Sequence, residues 1–127
     1  MTIVWLNTVL VSAMHLRQLS EHGGGAGLRD NGLLESAIQR PLNKTQYGTP
    51  DLSDLAASYA FGIARNHPFI DGNKRTALVA SFTFLYLNGY GVNTSQVENV
   101  RTFLELASGS LTEENLAEWF RNNLRKL

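Results

Sequence analysis

Lys74-Arg75-Thr76-Ala77-Leu78-Val79-Ala80-Ser81-Phe82-Thr83-Phe84-Leu85-Tyr86-Leu87 is the stretch that decides the fold. The run is nearly all helix-compatible, and from Ala77 onward apolar groups fall on every face of a 3.6-residue period. A helix that is apolar all round must be enclosed by other helices, so this run predicts the middle of a bundle. It is too short to cross a bilayer, which takes about 20 apolar residues. Asn88-Gly89 supplies its C-terminal stop.

Working outward, Leu52, Leu55, Ala56, Tyr59, Ala60 and Ile63 mark a preceding helix that should stop near Asn66, before Pro68. Upstream of that, residues 41–52 hold two prolines and a glycine without a sustained period and read as a loop or irregular hairpin. Asp30 or Asn31 can cap a short helix carrying Leu33, Leu34, Ala37 and Ile38, which Pro41 is expected to end. Asn7 can cap a first helix over roughly residues 8–21, closed by Gly23-Gly24-Gly25. Downstream, Ser95 and Glu98 have capping-box spacing before a helix through Val100, Phe103, Leu104 and Leu106, which Gly109 closes. Ser110 or Thr112 then caps a last helix with the stripe Leu116, Phe120 and Leu124, and Arg121, Arg125 and Lys126 suit its C-terminal dipole. The expected architecture is all-α: a compact bundle of about six helices in one domain over residues 1–127, with at most a small hairpin near 41–50 or 90–93.

Composition narrows the function. The chain has 127 residues, 43% apolar and 17% charged, which fits one ordinary globular domain. Eleven basic residues cancel eleven acidic ones, so no summed field draws the chain to nucleic acid or an anionic membrane. With no cysteine, disulfides, thiolate zinc sites and a cysteine nucleophile are excluded. Met1 to Asn7 lacks the basic start and long apolar run of a signal peptide, so a cytoplasmic location is expected.

The chemistry concentrates in His67-Pro68-Phe69-Ile70-Asp71-Gly72-Asn73-Lys74-Arg75. Pro68 ends one helix and Gly72-Asn73 opens the next, so the exit of the turn presents unpaired backbone N–H groups, an anion site by geometry. Lys74 and Arg75 add two full charges in the first helical turn. Placed for helix stability alone they would be at the wrong end, costing a few tenths of a kcal/mol each, so a phosphate is expected there. Asp71 is a hard oxygen ligand beside that site and the candidate for magnesium. His67 brings an imidazole to the lip of the turn and is the candidate general base. Phe69 reads as a core anchor that fixes the turn.

The segment closely resembles the motif of the Fic and death-on-curing proteins, His-Pro-Phe-x-(Asp/Glu)-Gly-Asn-(Gly/Lys)-Arg, with every specified position met. Arg65, the segment Gly27-Leu28-Arg29-Asp30-Asn31-Gly32-Leu33-Leu34-Glu35-Ser36-Ala37 and Thr76-Ala77-Leu78 extend the likeness to death-on-curing toxins. The resemblance implies His67 as general base, Asp71 as Mg2+ ligand, and Gly72, Asn73, Lys74 and Arg75 as a cradle for the phosphates of ATP, with Arg65 a further candidate. Two departures from the nucleotidyl-transferring branch stand out: Lys74 replaces its second glycine, and Leu78 stands where a second arginine usually lies. A side chain where glycine let a phosphate approach displaces the nucleotide, and its ammonium attracts phosphate from a new position. The resemblance therefore implies a reversed ATP and transfer of the γ-phosphoryl group to a threonine of elongation factor Tu, arresting translation. It also implies a small antitoxin folded over the site, and a target-docking flap at 41–52. The competing functions are an AMP transferase on the same scaffold and a non-catalytic antitoxin-binding domain. A ribonuclease is disfavoured by zero net charge.

Plainer readings take the rest. His67 and Asp71 have a metal-ligand spacing, but Pro68 and Gly72 break the helix and no third ligand adjoins, which argues against structural zinc. Gly72 to Thr76 faintly suggests a P-loop ending, yet the upstream glycine spacing and strand are missing. His15 and His22 are assigned structural places, and Gly23 to Gly27 a helix terminator. Ser110 to Asn115 formally matches the Ser/Thr-x-x-x-Glu-Gly/Asn inhibitory pattern of some Fic proteins, which helix capping explains more simply.

Overall fold

In the computed structural model, which describes residues 2–127, the chain runs α1 (Thr8–His22), α2 (Asn31–Lys44), α3 (Leu52–Asn66), α4 (Asn73–Leu87), β1 (Tyr90–Val92), α5 (Gln96–Ser108), α6 (Glu113–Asn123) and β2 (Leu124–Lys126). Met1, the first residue of the segment read for a leader, lies outside the described residues. Asn7, Asp30, Asp51, Ser95 and Thr112 accept the amides of Leu10, Leu33, Asp54, Glu98 and Asn115, so α1, α2, α3, α5 and α6 each begin on a side-chain cap. Each such cap contributes about 1 kcal/mol. Of the six, only α4 opens without one, at Gly72. The architecture is all-α, as expected.

The centre of the molecule is α3, with α2, α4, α5 and α6 packed around it. That corrects the expectation for α4, whose Leu78, Val79 and Phe82 are half-buried and whose Tyr86 and Leu87 are exposed. The physical reason is size. Ala56, Ala57, Ser58, Ala60, Gly62 and Ala64 keep α3 slim, and helices approach as closely as the side chains between them allow. A Cβ on Gly62 would meet Cα and Cβ of Ala37 at 3.1 Å, so α2 lies directly on this glycine. On the far side, Phe82, Phe103, Trp119 and Phe120 pack at tilted and edge-on angles, joining α4, α5 and α6. Tyr59 is buried in α3, its hydroxyl accepts Leu6 N–H at 3.0 Å, and burial pushes its pKa up to about 12.

Three sequence expectations change. Pro41 does not end α2; its ring is fully buried and the helix runs one more turn to Lys44. An interior proline costs about 3 kcal/mol. That cost is offset by the buried ring and by Arg40 and Lys44 on either side of it, both paired with the buried Glu113 of α6. The loop is thereby shortened to residues 45–51 and contains no hairpin. Leu124 is not helical: α6 stops at Asn123, and Leu124–Lys126 pairs antiparallel with Tyr90–Val92. Asn123 Nδ2 donates to Trp119 O at 2.7 Å and caps the helix end. Finally, the Glu98 carboxylate accepts Trp119 Nε1–H at 2.9 Å, a contact between α5 and α6, where a capping box was expected.

Candidate active site

The turn between α3 and α4 is held open by residues distant in sequence. His67 ends α3 in left-handed backbone, φ 51°, the one such non-glycine among the described residues. That geometry costs about 1 kcal/mol for a residue with a Cβ. Arg29 offsets it by donating from Nε to His67 O at 2.6 Å and from Nη2 to Asn66 O at 2.8 Å, satisfying carbonyls at the helix end. The amides of Arg29 and Asp30 both donate to Pro68 O, Ile70 N–H donates to Gly27 O, and Leu28 bridges Phe69. Residues 27–30 thus form a strap along the turn.

Inside the turn, Asn73 is the brace. It is 5% exposed; its Oδ1 accepts Phe69 N–H at 3.0 Å, and its Nδ2 donates to Phe69 O at 3.0 Å and to His67 Nδ1 at 3.3 Å. Its side chain is therefore spent on the turn, leaving only its backbone N–H for a phosphate. The contact also assigns the neutral His67 ring a proton on Nε2. Accepting a proton at Nε2 requires moving that one to Nδ1, at the cost of one long neutral hydrogen bond worth about 1 kcal/mol or less. The arrangement permits a base. Asp71 is exposed; Oδ1 accepts Gly72 N–H at 2.8 Å and Oδ2 accepts Gly25 N–H at 3.3 Å. His15 reaches the same residue from α1, its Nε2 lying 2.7 Å from Asp71 O, with its ring stacked on Phe69. Phe69 is 2% exposed, an anchor as expected.

His67, Asp71, Gly72, Asn73, Lys74 and Arg75 together line one side of a cavity of about 680 Å³. Gly72, φ 81°, supplies the left-handed backbone that starts α4, and the amides of Asn73, Lys74 and Arg75 in the first turn have no acceptor within the helix. Lys74 and Arg75 are exposed and enter no ion pair among the described residues. Two free cations, three amides and the positive end of α4 converge on the cavity, an arrangement suited to phosphate. Arg65 is not on its wall; its guanidinium lies over Phe61, 5.4 Å from the ring centre, and beside Gly109. Beyond Leu78 of α4, already singled out in the sequence, the opposite wall went unread. It consists of Val100, Phe103, Leu104, Ala107 and Ser108 of α5. The available signal was that α5 carries Val100 and Leu104 in addition to its core residues Phe103 and Leu106, more apolar surface than one buried face needs.

A sequence model described as the Fic/DOC family matches residues 5–85, which include the strap, the turn and most of α4. A protein named Toxin Doc from Mycolicibacterium smegmatis is 50% identical over 70 residues, and the matched part is 53% of this chain and 53% of that protein. Protein kinase doc of Escherichia phage P1 is 34% identical over 116 residues, 91% of this chain and 88% of that protein.

Proposed function

The chain belongs to the Fic/DOC family, and from that premise we propose that it is the toxin of a toxin–antitoxin pair, a kinase that moves the γ-phosphoryl group of ATP onto a threonine of elongation factor Tu. The observation that carries this reading is Lys74, an exposed, unpaired cation in the first turn of α4, at the position where the nucleotidyl-transferring branch has glycine. Its side chain occupies the space that a closely approaching phosphate would need and offers an ammonium in exchange. The name of the phage P1 relative, a protein kinase, supports phosphoryl over nucleotidyl transfer.

The residues divide the work by position. The amides at the start of α4, Gly72, Lys74 and Arg75 cradle the phosphates, and the apolar wall of α5 receives the uncharged part of the nucleotide. The acceptor oxygen bonds to the γ-phosphorus, the bond from that phosphorus to the β,γ-bridging oxygen breaks, ADP leaves, and the hydroxyl proton passes to His67. Among the described residues no three His, Cys, Asp or Glu converge as a metal cage. One exposed carboxylate beside a phosphate cradle fits Mg2+, which keeps its waters and takes few carboxylates, so Asp71 would hold it. When bound, the ion would neutralise phosphate charge. An antitoxin segment covering this cavity would silence the enzyme. No helix of the described residues is long and apolar enough to cross a membrane, and the proposed target in translation would put the activity in the cytoplasm.

Incubation of the chain with elongation factor Tu and either γ- or α-labelled ATP tests the proposal. Label from γ-ATP on a threonine, absent with His67→Ala, is the expected result; label from α-ATP on protein overturns it in favour of AMP transfer. If His67→Ala still arrests growth, the non-catalytic reading takes its place.

A further inference from the structure

Asp71 is gripped at all three of its oxygens, each by a different donor. Gly72 N–H holds Oδ1, Gly25 N–H holds Oδ2, and His15 Nε2 holds the backbone carbonyl at 2.7 Å. The third of these is the one the composition of α1 does not explain. The other buried residues of α1 are Val11 and Met14, so packing that face asks only for apolar volume. An imidazole 3% exposed costs desolvation that an apolar side chain would not. What it gains is a hydrogen bond to a carbonyl 56 residues away and a parallel stack on Phe69, ring centres 3.8 Å apart and planes at 7°. Since a carbonyl only accepts, Nε2 carries the proton, and the ring has one orientation that satisfies both contacts. A Cβ on Gly72 would lie 3.6 Å from His15 Cδ2, so the ring also fills the space beneath the 71–72 peptide.

We propose that His15 is a positioning residue for Asp71. It fixes the peptide plane at residue 71, and with it the direction in which the carboxylate leaves the backbone toward the cavity. The effect of losing it should resemble the loss of an outer partner of a metal ligand, about tenfold in cation affinity. The inference rests on the reading of Asp71 as the cation ligand.

Mn2+ titrations of the full chain with the β,γ-imido analogue of ATP, followed by electron paramagnetic resonance, test it. His15→Phe keeps a ring on Phe69 but removes the donor, and His15→Gln keeps a donor of similar reach. The expected result is Mn2+ binding about tenfold weaker in His15→Phe, recovered to within about threefold in His15→Gln. Wild-type affinity in His15→Phe, with Asp71→Asn strongly weakened, overturns the positioning role and leaves the ligand assignment standing. Unchanged affinity in Asp71→Asn overturns both. If His15→Phe does not fold, nitrogen NMR of the wild-type imidazole decides. An Nε2–H tautomer whose signals move on Mg2+ addition upholds the proposal, and a ring unmoved while the Asp71 amide responds overturns it.

Discussion

Arg29 shows how much of the candidate site's turn depends on side chains outside its cavity. Its two donations to Asn66 O and His67 O hold the left-handed backbone that aims His67 at the cavity. Arg29→Met is therefore expected to lower kcat about tenfold or more and to destabilise the fold by about 1 kcal/mol, because water can replace the donor at these surface carbonyls. Steady-state kinetics together with urea denaturation would check it. Glu113 makes a second residue-scale case. Burial raises its pKa, but the hydrogen bonds and charges of Arg40 and Lys44 outweigh burial, and the net pKa is lowered. Glu113→Gln removes the charge those two partly exposed cations share and should cost roughly 1–2 kcal/mol after solvent screening, read as a lower urea midpoint at constant slope. At this scale the gathering of His67, Asp71, Lys74 and Arg75 around one cavity was legible, because side chains of those types in that order announce the chemistry proposed for them. The work of Asn73 and His15 was not. Each bonds to backbone groups, which leave no mark in the sequence of what will meet them.

At the scale of elements, side-chain size decided what apolarity alone did not. The α4 run looked central because it is hydrophobic on all faces, yet the centre went to α3, whose alanines, serines and glycine let neighbours close in from every side. Gly62→Val should reveal that contact. The added branches would press on the Ala37 backbone, which α2 cannot withdraw, and a loss of roughly 2–3 kcal/mol is expected from thermal or urea unfolding. Helix starts were easy to place because caps are local and side-chain-specific. Ends were harder. Pro41 was absorbed by burial and Leu124 was claimed by a strand partner, and both outcomes depend on neighbours remote in sequence.

For the whole molecule, acid is the informative perturbation. Arg121 hydrogen-bonds Asp51, also pairs with Asp54 and Glu118, and so pins the start of α3 to α6. Chiefly through that hydrogen bond, the Asp51 carboxyl falls from 3.8 to about 2. A lowered folded-state pKa means the stabilisation is complete above about pH 4 and is lost as pH falls through about 2. Because the Asp51 side chain is 51% exposed, solvent screening should reduce the effect to about 1 kcal/mol. Melting curves from pH 5 to pH 2 should show this loss in the wild type and a smaller one in Asp51→Asn. One further arrangement acts on the molecule as a whole. Asn88 exchanges hydrogen bonds with both N–H and C=O of Val4, and the adjoining Gly89 O accepts Leu127 N–H. Both ends of the described chain are thus fastened to one corner, at the opposite end of α4 from the phosphate cradle and about 20 Å away along the helix axis. A short linker can join residue 127 to residue 2, and the chain can be reopened in the exposed loop 45–51. Such a circular permutant should keep its fold and its phosphate cradle, and a partner fused next to residue 2 or residue 127 would stand clear of that cradle.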